Sequence, residues 1–97
     1  MECCEQYKKD PRSKELVDLL VKRLNKINGQ INGVSKMIQE NRYCNDVLIQ
    51  IAAIESALKE VGYIILEDHM MTCVAEDIKN NDKSSLKQAI EISKKLK

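Results

Sequence analysis

Between residues 17 and 38, Val17, Leu20, Leu24, Ile27, Ile31, Val34 and Ile38 follow one another in steps of three and four. That is an unbroken heptad seam, and an apolar stripe of this period is satisfied only by another helix lying along its length. A strand would need alternation at period two, which this stretch never shows. The spacing predicts a first helix from Pro11 to Gln39, with Pro11 and Ser13 as starters. Gly29 and Gly33 lie within it, each costing ~1 kcal/mol relative to alanine. A close helix approach would offset that cost.

The stretch ENRYCND interrupts the pattern, with Asn41 as a turn residue and Asn45 or Asp46 near the next start. A second helix is then predicted from Cys44 to Ile78. Val47, Ile51, Ile54, Leu58, Val61, Ile65 and Met70 mark its apolar stripe, and Ala52, Ala53 and Ala57 allow close packing. At ~1.5 Å per residue it would be about 50 Å long, with Gly62 the one place it would kink. NNDKSS, residues 80 to 85, reads as a loop. Ser84 or Ser85 would cap a short last helix carrying Leu86, Ala89, Ile90 and Leu96. Three helices and no strand pattern make an all-α chain.

Ninety-seven residues with no Phe or Trp bound one small domain, read as residues 11–97 behind a flexible tail, residues 1–10. A mostly helical chain this short cannot fold far back on itself, so a partner chain is expected to cover its apolar surface. The net charge of +1 neither demands nor excludes nucleic acid, since a basic face can hide in a neutral total. The polar start MECCEQYKKD has no leader-like apolar segment, and no stretch approaches the ~18 apolar residues of a membrane span. The expectation is a cytoplasmic protein without membrane contact. In that reducing compartment the four cysteines are more readily metal ligands or reactive thiols than disulfides. Catalysis is not expected, because a Cys–His pair lacks a third orienting group and oxyanion donors, and no glycine-rich phosphate loop is present.

Histidine occurs once, in EDHMMTC, where His69 and Cys73 are four residues apart on one helix. Their Cβ atoms would then sit about 5–6 Å apart on one face. Taken alone, that pair is equally a half-buried ring beside a small apolar thiol. Cys44 sharpens it. It opens the same helix 25 residues before His69, which is about 37 Å away. A fold-back at Gly62 would leave the two about 16 Å out of register. Two copies packed antiparallel bring Cys44 of one chain to His69 and Cys73 of the other, with two such sites per dimer. Two thiolates and one imidazole favour a soft ion. Three donors suit Cu(I), whereas Zn(II), Ni(II) or Co(II) would want more, for which Cys3 and Cys4 are the candidates. A thiolate pair also admits oxidation to a di- or polysulfide.

RLNKINGQINGV on the first helix, YCNDVLIQIAAIESAL opening the second and LEDHMMTCV closing it together resemble the CsoR family of bacterial metal-sensing transcriptional repressors. The resemblance runs from about Val21 to Lys79. It implies an antiparallel four-helix-bundle dimer, with dimers pairing into a tetramer. It implies a Cu(I) site made by Cys44, His69 and Cys73, with an outer shell to which Tyr43 corresponds. The family's outer-shell glutamate has no clean counterpart: Gln88 or Ala89 falls near its place, with Glu91 a little beyond. His69 separates the chain from the persulfide branch, and Cys73 from the formaldehyde branch. The nickel/cobalt branch uses an N-terminal histidine that is absent here.

DNA contacts of the family correspond to Lys22, Arg23, Lys26 and Gln30, with Lys79 a further candidate. Asn28 and Asn32 stand where many members carry Glu and Arg. The resemblance thus implies a repressor that binds operator DNA in the metal-free form and releases it when Cu(I) binds between protomers. The alternatives are another inducer on the same scaffold, nickel/cobalt or persulfide, and a copper-binding protein that does not act on DNA.

Overall fold

The computed structural model describes residues 11–97; Cys3, Cys4 and the expected tail at residues 1–10 lie outside the described residues. Helix α1 (Lys14–Gln39) begins where Ser13, in extended backbone, accepts a hydrogen bond from the Leu16 amide at 3.1 Å. Pro11 therefore precedes the helix and does not open it. At the other end Asn41 takes a positive φ of 54°. The Arg42 amide then reaches the Met37 carbonyl at 2.9 Å and the Asn41 amide the Ile38 carbonyl at 3.1 Å. Both are the bonds of a Schellman closure. Asparagine suits that position because its short amide tolerates the left-handed region.

Helix α2 (Cys44–His69) passes through Gly62 without interruption and runs into a π-helical turn (Met70–Val74), which continues as α3 (Ala75–Lys79). The predicted second helix is thus one helical run with a π turn near its end. The Thr72 hydroxyl donates to the Asp68 carbonyl at 2.7 Å. A side chain that engages a carbonyl four residues back competes with the α-helical ladder at the point where it loosens. Asn81, with φ 61°, closes α3 as Asn41 closes α1. The Asp82 amide bonds the Asp77 carbonyl at 2.8 Å and the Asn81 amide the Ile78 carbonyl at 3.0 Å.

Helix α4 (Ser84–Lys95) is not capped by Ser84 or Ser85 as expected. Asp82 caps it instead: its Oδ1 accepts from the Ser84 amide at 2.9 Å and the Ser84 hydroxyl at 2.7 Å. Ser85 is fully buried, and its hydroxyl has no hydrogen-bond partner among the described residues.

The three rods form an elongated body, 56 × 27 × 18 Å, in which α1 and α2 pair as a hairpin. The heptad seam divides within it. Leu20 and Ile27 are buried and Val34 partly so, packing with Ile54, Val61, Ala57, Ile64 and Ile65. Val17, Leu24, Ile31 and Ile38, the other register of the same seam, are exposed, Ile38 by 59%. On α2, Leu58 departs from the predicted buried stripe and joins Leu48 and Ile49 as exposed apolar surface.

A second, smaller core lies where α4 packs on the π turn, and it buries Cys73, Val74, Ser85 and Ala89. From there α4 runs back along α2. A Cβ at Gly62 would stand 2.9 Å from Leu96 Cδ2, and the Tyr63 hydroxyl donates to the Leu96 carbonyl at 3.3 Å. Gly62 is therefore a landing place for Leu96. A Cβ added at Gly29 or Gly33 would meet nothing within 4 Å, so among the described residues no helix makes the close approach expected there.

Candidate metal centre and nucleic-acid face

Cys44 is the first residue of α2 and is exposed, with a free thiol. His69 is the last residue of α2, half-buried. Because α2 is continuous between them, they stand about 37 Å apart. Cys73 lies one turn beyond His69 in the π turn and is only 1% exposed. A soft metal binds the thiolate, so Cys73 must lose its proton to serve as a ligand. Among the described residues no three His, Cys, Asp or Glu side chains gather within reach of one ion. The candidate donors are thus divided between the two ends of one rod, as the spacing alone implied. Two sulfurs and an imidazole fit a soft monovalent ion once a second chain unites them.

Of the candidate outer-shell residues, Tyr43 occupies the N-cap position immediately before Cys44 and is 69% exposed. Glu91 lies on the exposed side of α4, where its carboxylate pairs with Lys94 at 3.6 Å. It does not line the cavity beside His69. That cavity, about 280 Å³, is walled by Arg12, Ile65, Leu66, Gln88, Ala89 and Ile92. Gln88 and Ala89 are the first α4 residues to line it, just short of Glu91 on the same helix.

The residues matched to DNA contacts do come together. Lys22, Arg23, Lys26 and Gln30 line one groove of about 530 Å³ between α1 and α2, with Leu19, Ile27 and Ala57 as its apolar parts. Lys22, Lys26 and Gln30 step by four and Arg23 stands three before Lys26, which puts them on one face of α1. Lys79 ends α3 and is not part of this groove. The groove also contains a residue that the sequence reading missed. Glu60 of α2 accepts a hydrogen bond from Arg23 Nη1 at 2.9 Å and forms an ion pair across the hairpin. The two residues are 37 apart in the chain, so no periodic signal connects them. The Gln30 amide oxygen is buried without a hydrogen-bond partner among the described residues.

No described helix is long and apolar enough to cross a membrane. Residues 17–95 match the model of a family described as metal-sensitive transcriptional repressors. The copper-sensing transcriptional repressor CsoR of Bacillus subtilis (strain 168) is 38% identical over 86 residues, covering 88% of this chain and 85% of that protein. The crystal structure of the copper-sensing repressor CsoR with Cu(I) from Geobacillus thermodenitrificans NG80-2 superposes with a TM-score of 0.82. That likeness spans 89% of this chain and 91% of the other at 44% identity. The nickel-responsive transcriptional regulator InrS gives a TM-score of 0.66 at 39% identity, over 90% of this chain and 94% of that one.

Proposed function

The chain belongs to the metal-sensitive transcriptional repressor family, and on that premise we propose that it is a Cu(I)-responsive repressor of operator DNA. The observation that carries this reading is the placement of the donors. Cys44 and the His69/Cys73 pair sit at opposite ends of an uninterrupted helical run, and half of an apolar seam beside them is exposed. An antiparallel pair of protomers answers both facts: it covers the seam and sets Cys44 of one protomer against His69 and Cys73 of its partner. Cys44 of one protomer and His69 and Cys73 of its partner would hold the Cu(I), and that shared ligation would link the start of one α2 to the end of the other. The copper-sensing relative with 0.82 superposition supports copper over nickel. So does the donor set, whose softness suits a three-coordinate monovalent ion.

The chain's own residues supply the other half of the function. Lys22, Arg23, Lys26 and Gln30 line one groove, and its cations bind the phosphate backbone of the operator, with affinity that falls steeply in salt. Pairing of two dimers into a tetramer would present such grooves over one DNA segment. The metal and the DNA occupy distinct sites, and a loss of DNA affinity on metal binding carries an equal loss of metal affinity on DNA binding.

The test is an anaerobic titration of the fully reduced protein with Cu(I) and, separately, Ni(II), in the presence of DNA from upstream of its own gene. One Cu(I) per protomer and dissociation of the DNA are expected. In His69→Ala, Cu(I) affinity is expected to fall by more than the roughly 10–100-fold typical of an outer-shell loss. Tight Cu(I) binding that leaves DNA affinity unchanged would sink the mechanism, and release by Ni(II) alone would transfer it to the other metal.

A further inference from the structure

Among the described residues the basic groove contains one carboxylate, and that carboxylate is already in contact with one of its cations. We propose that Glu60 is a built-in competitor for the DNA phosphate at Arg23, and that it sets both the affinity and the salt dependence of the groove. This rests on the reading of the groove as the DNA face.

The pair is well made and accessible: Arg23 Nη1 to Glu60 Oε1 is 2.9 Å, with the side chains 40% and 62% exposed. The flanking cations, Lys22 and Lys26, line the same groove and have no carboxylate within ion-pair distance among the described residues. Arg23 is therefore the one groove cation, among the described residues, that must exchange a partner before it can hold a phosphate. The guanidinium fork suits carboxylate and phosphate alike, which makes the exchange a direct substitution.

The consequence is thermodynamic. A free lysine that neutralises a phosphate releases a condensed counterion, and each such contact adds about 0.9 to the slope of log K against log salt. When Arg23 leaves Glu60 for a phosphate, the bared carboxylate takes up a cation of its own. The net release from that contact is close to nil. Glu60 thus removes about one contact's worth of salt dependence, although Arg23 still reaches the DNA. An exposed pair of this kind is weak, so the expected effect on affinity is modest, about two- to five-fold.

Four proteins, wild type, Glu60→Gln, Arg23→Ala and the double variant, are compared by fluorescence anisotropy. The probe is a labelled duplex from upstream of the chain's own gene, measured across a range of potassium chloride concentrations in the absence of metal. Glu60→Gln is expected to tighten binding about two- to five-fold and to steepen the slope by about 0.9. In the Arg23→Ala background the same substitution is expected to leave the slope where it was, since Glu60 is then bare in both states. Glu60→Ala repeats the comparison without an amide that could hydrogen-bond, and circular dichroism confirms that each variant is folded. Weaker binding in Glu60→Gln would mean that Glu60 orients Arg23, and would overturn the proposal. So would an equal slope change with and without Arg23. If the wild type shows no salt-dependent binding at all, the DNA reading itself fails and the competitor role falls with it.

Discussion

Single side chains decide what each end of the helical run can do. His69 is half-buried against a cavity that Gln88 and Ala89 share, whereas Glu91, a little further along α4, pairs with Lys94. At the start of α4 a different carboxylate matters. Asp82 is held below its ordinary value of 3.8, first by the hydrogen bond from the Ser84 amide and then by that from the Ser84 hydroxyl. Both bonds favour the ionised form, so the native state binds its proton less readily than the unfolded chain does. The contribution is present in full well above 3.8 and is lost as pH falls through the lower, native value. The Ser84 amide proton resonance is therefore expected to titrate with a midpoint below 3.8. In Asp82→Ala the titration disappears and Ser84 exchanges faster with solvent at neutral pH. A midpoint at or above 3.8 would contradict the capping role.

At the scale of elements, the run from Cys44 to Lys79 shows how a helix is interrupted without being ended. The π turn leaves the helical run continuous and places Cys73 under α4, while Thr72 holds the Asp68 carbonyl. The apolar spacing carries one trace of that turn, a step of five from Ile65 to Met70 after steps of three and four, and such a step alone does not separate a π turn from the end of the stripe. Gly62 illustrates the converse. Its residue type suggests a break, yet the helix continues through it, since its missing Cβ makes room for Leu96 beyond the end of α4. Alanine at 62 gains up to ~1 kcal/mol of helix propensity but must displace the end of the Leu96 side chain. Gly62→Ala is thus expected to change stability by less than that amount, and the full ~1 kcal/mol gain is expected to appear only in a Leu96→Ala background. Urea denaturation of the four proteins measures the coupling; equal effects in both backgrounds would show that Leu96 does not matter to Gly62.

For the whole molecule, the exposed register of the seam is the dominant fact. Val17, Leu24, Ile31 and Ile38 repeat every seven residues along one side of α1, too regular and too apolar for a solvated face. Each is still 41–59% exposed, so covering the remainder contributes about half of the ~1.5–3 kcal/mol of a full burial. Sedimentation of the protein is expected to give a multiple of 11.1 kDa, and its Tm is expected to rise with protein concentration. Leu24→Glu places a charge in that seam and is expected to lower the mass or unfold the chain. A wild-type species at 11.1 kDa would remove the basis for a site shared between protomers. Helix number, helix spans to within a few residues, and the division of Cys44 from His69 and Cys73 were legible in the sequence. Each follows from local period or from length at a fixed rise per residue, quantities the chain carries by itself. The start of α1 at Ser13, the capping by Asp82, the π turn, the outward side of the seam and the Arg23–Glu60 pair were not. They depend on which groups meet across helices or compete for one carbonyl, and only the packed structure decides among partners that are equal in sequence.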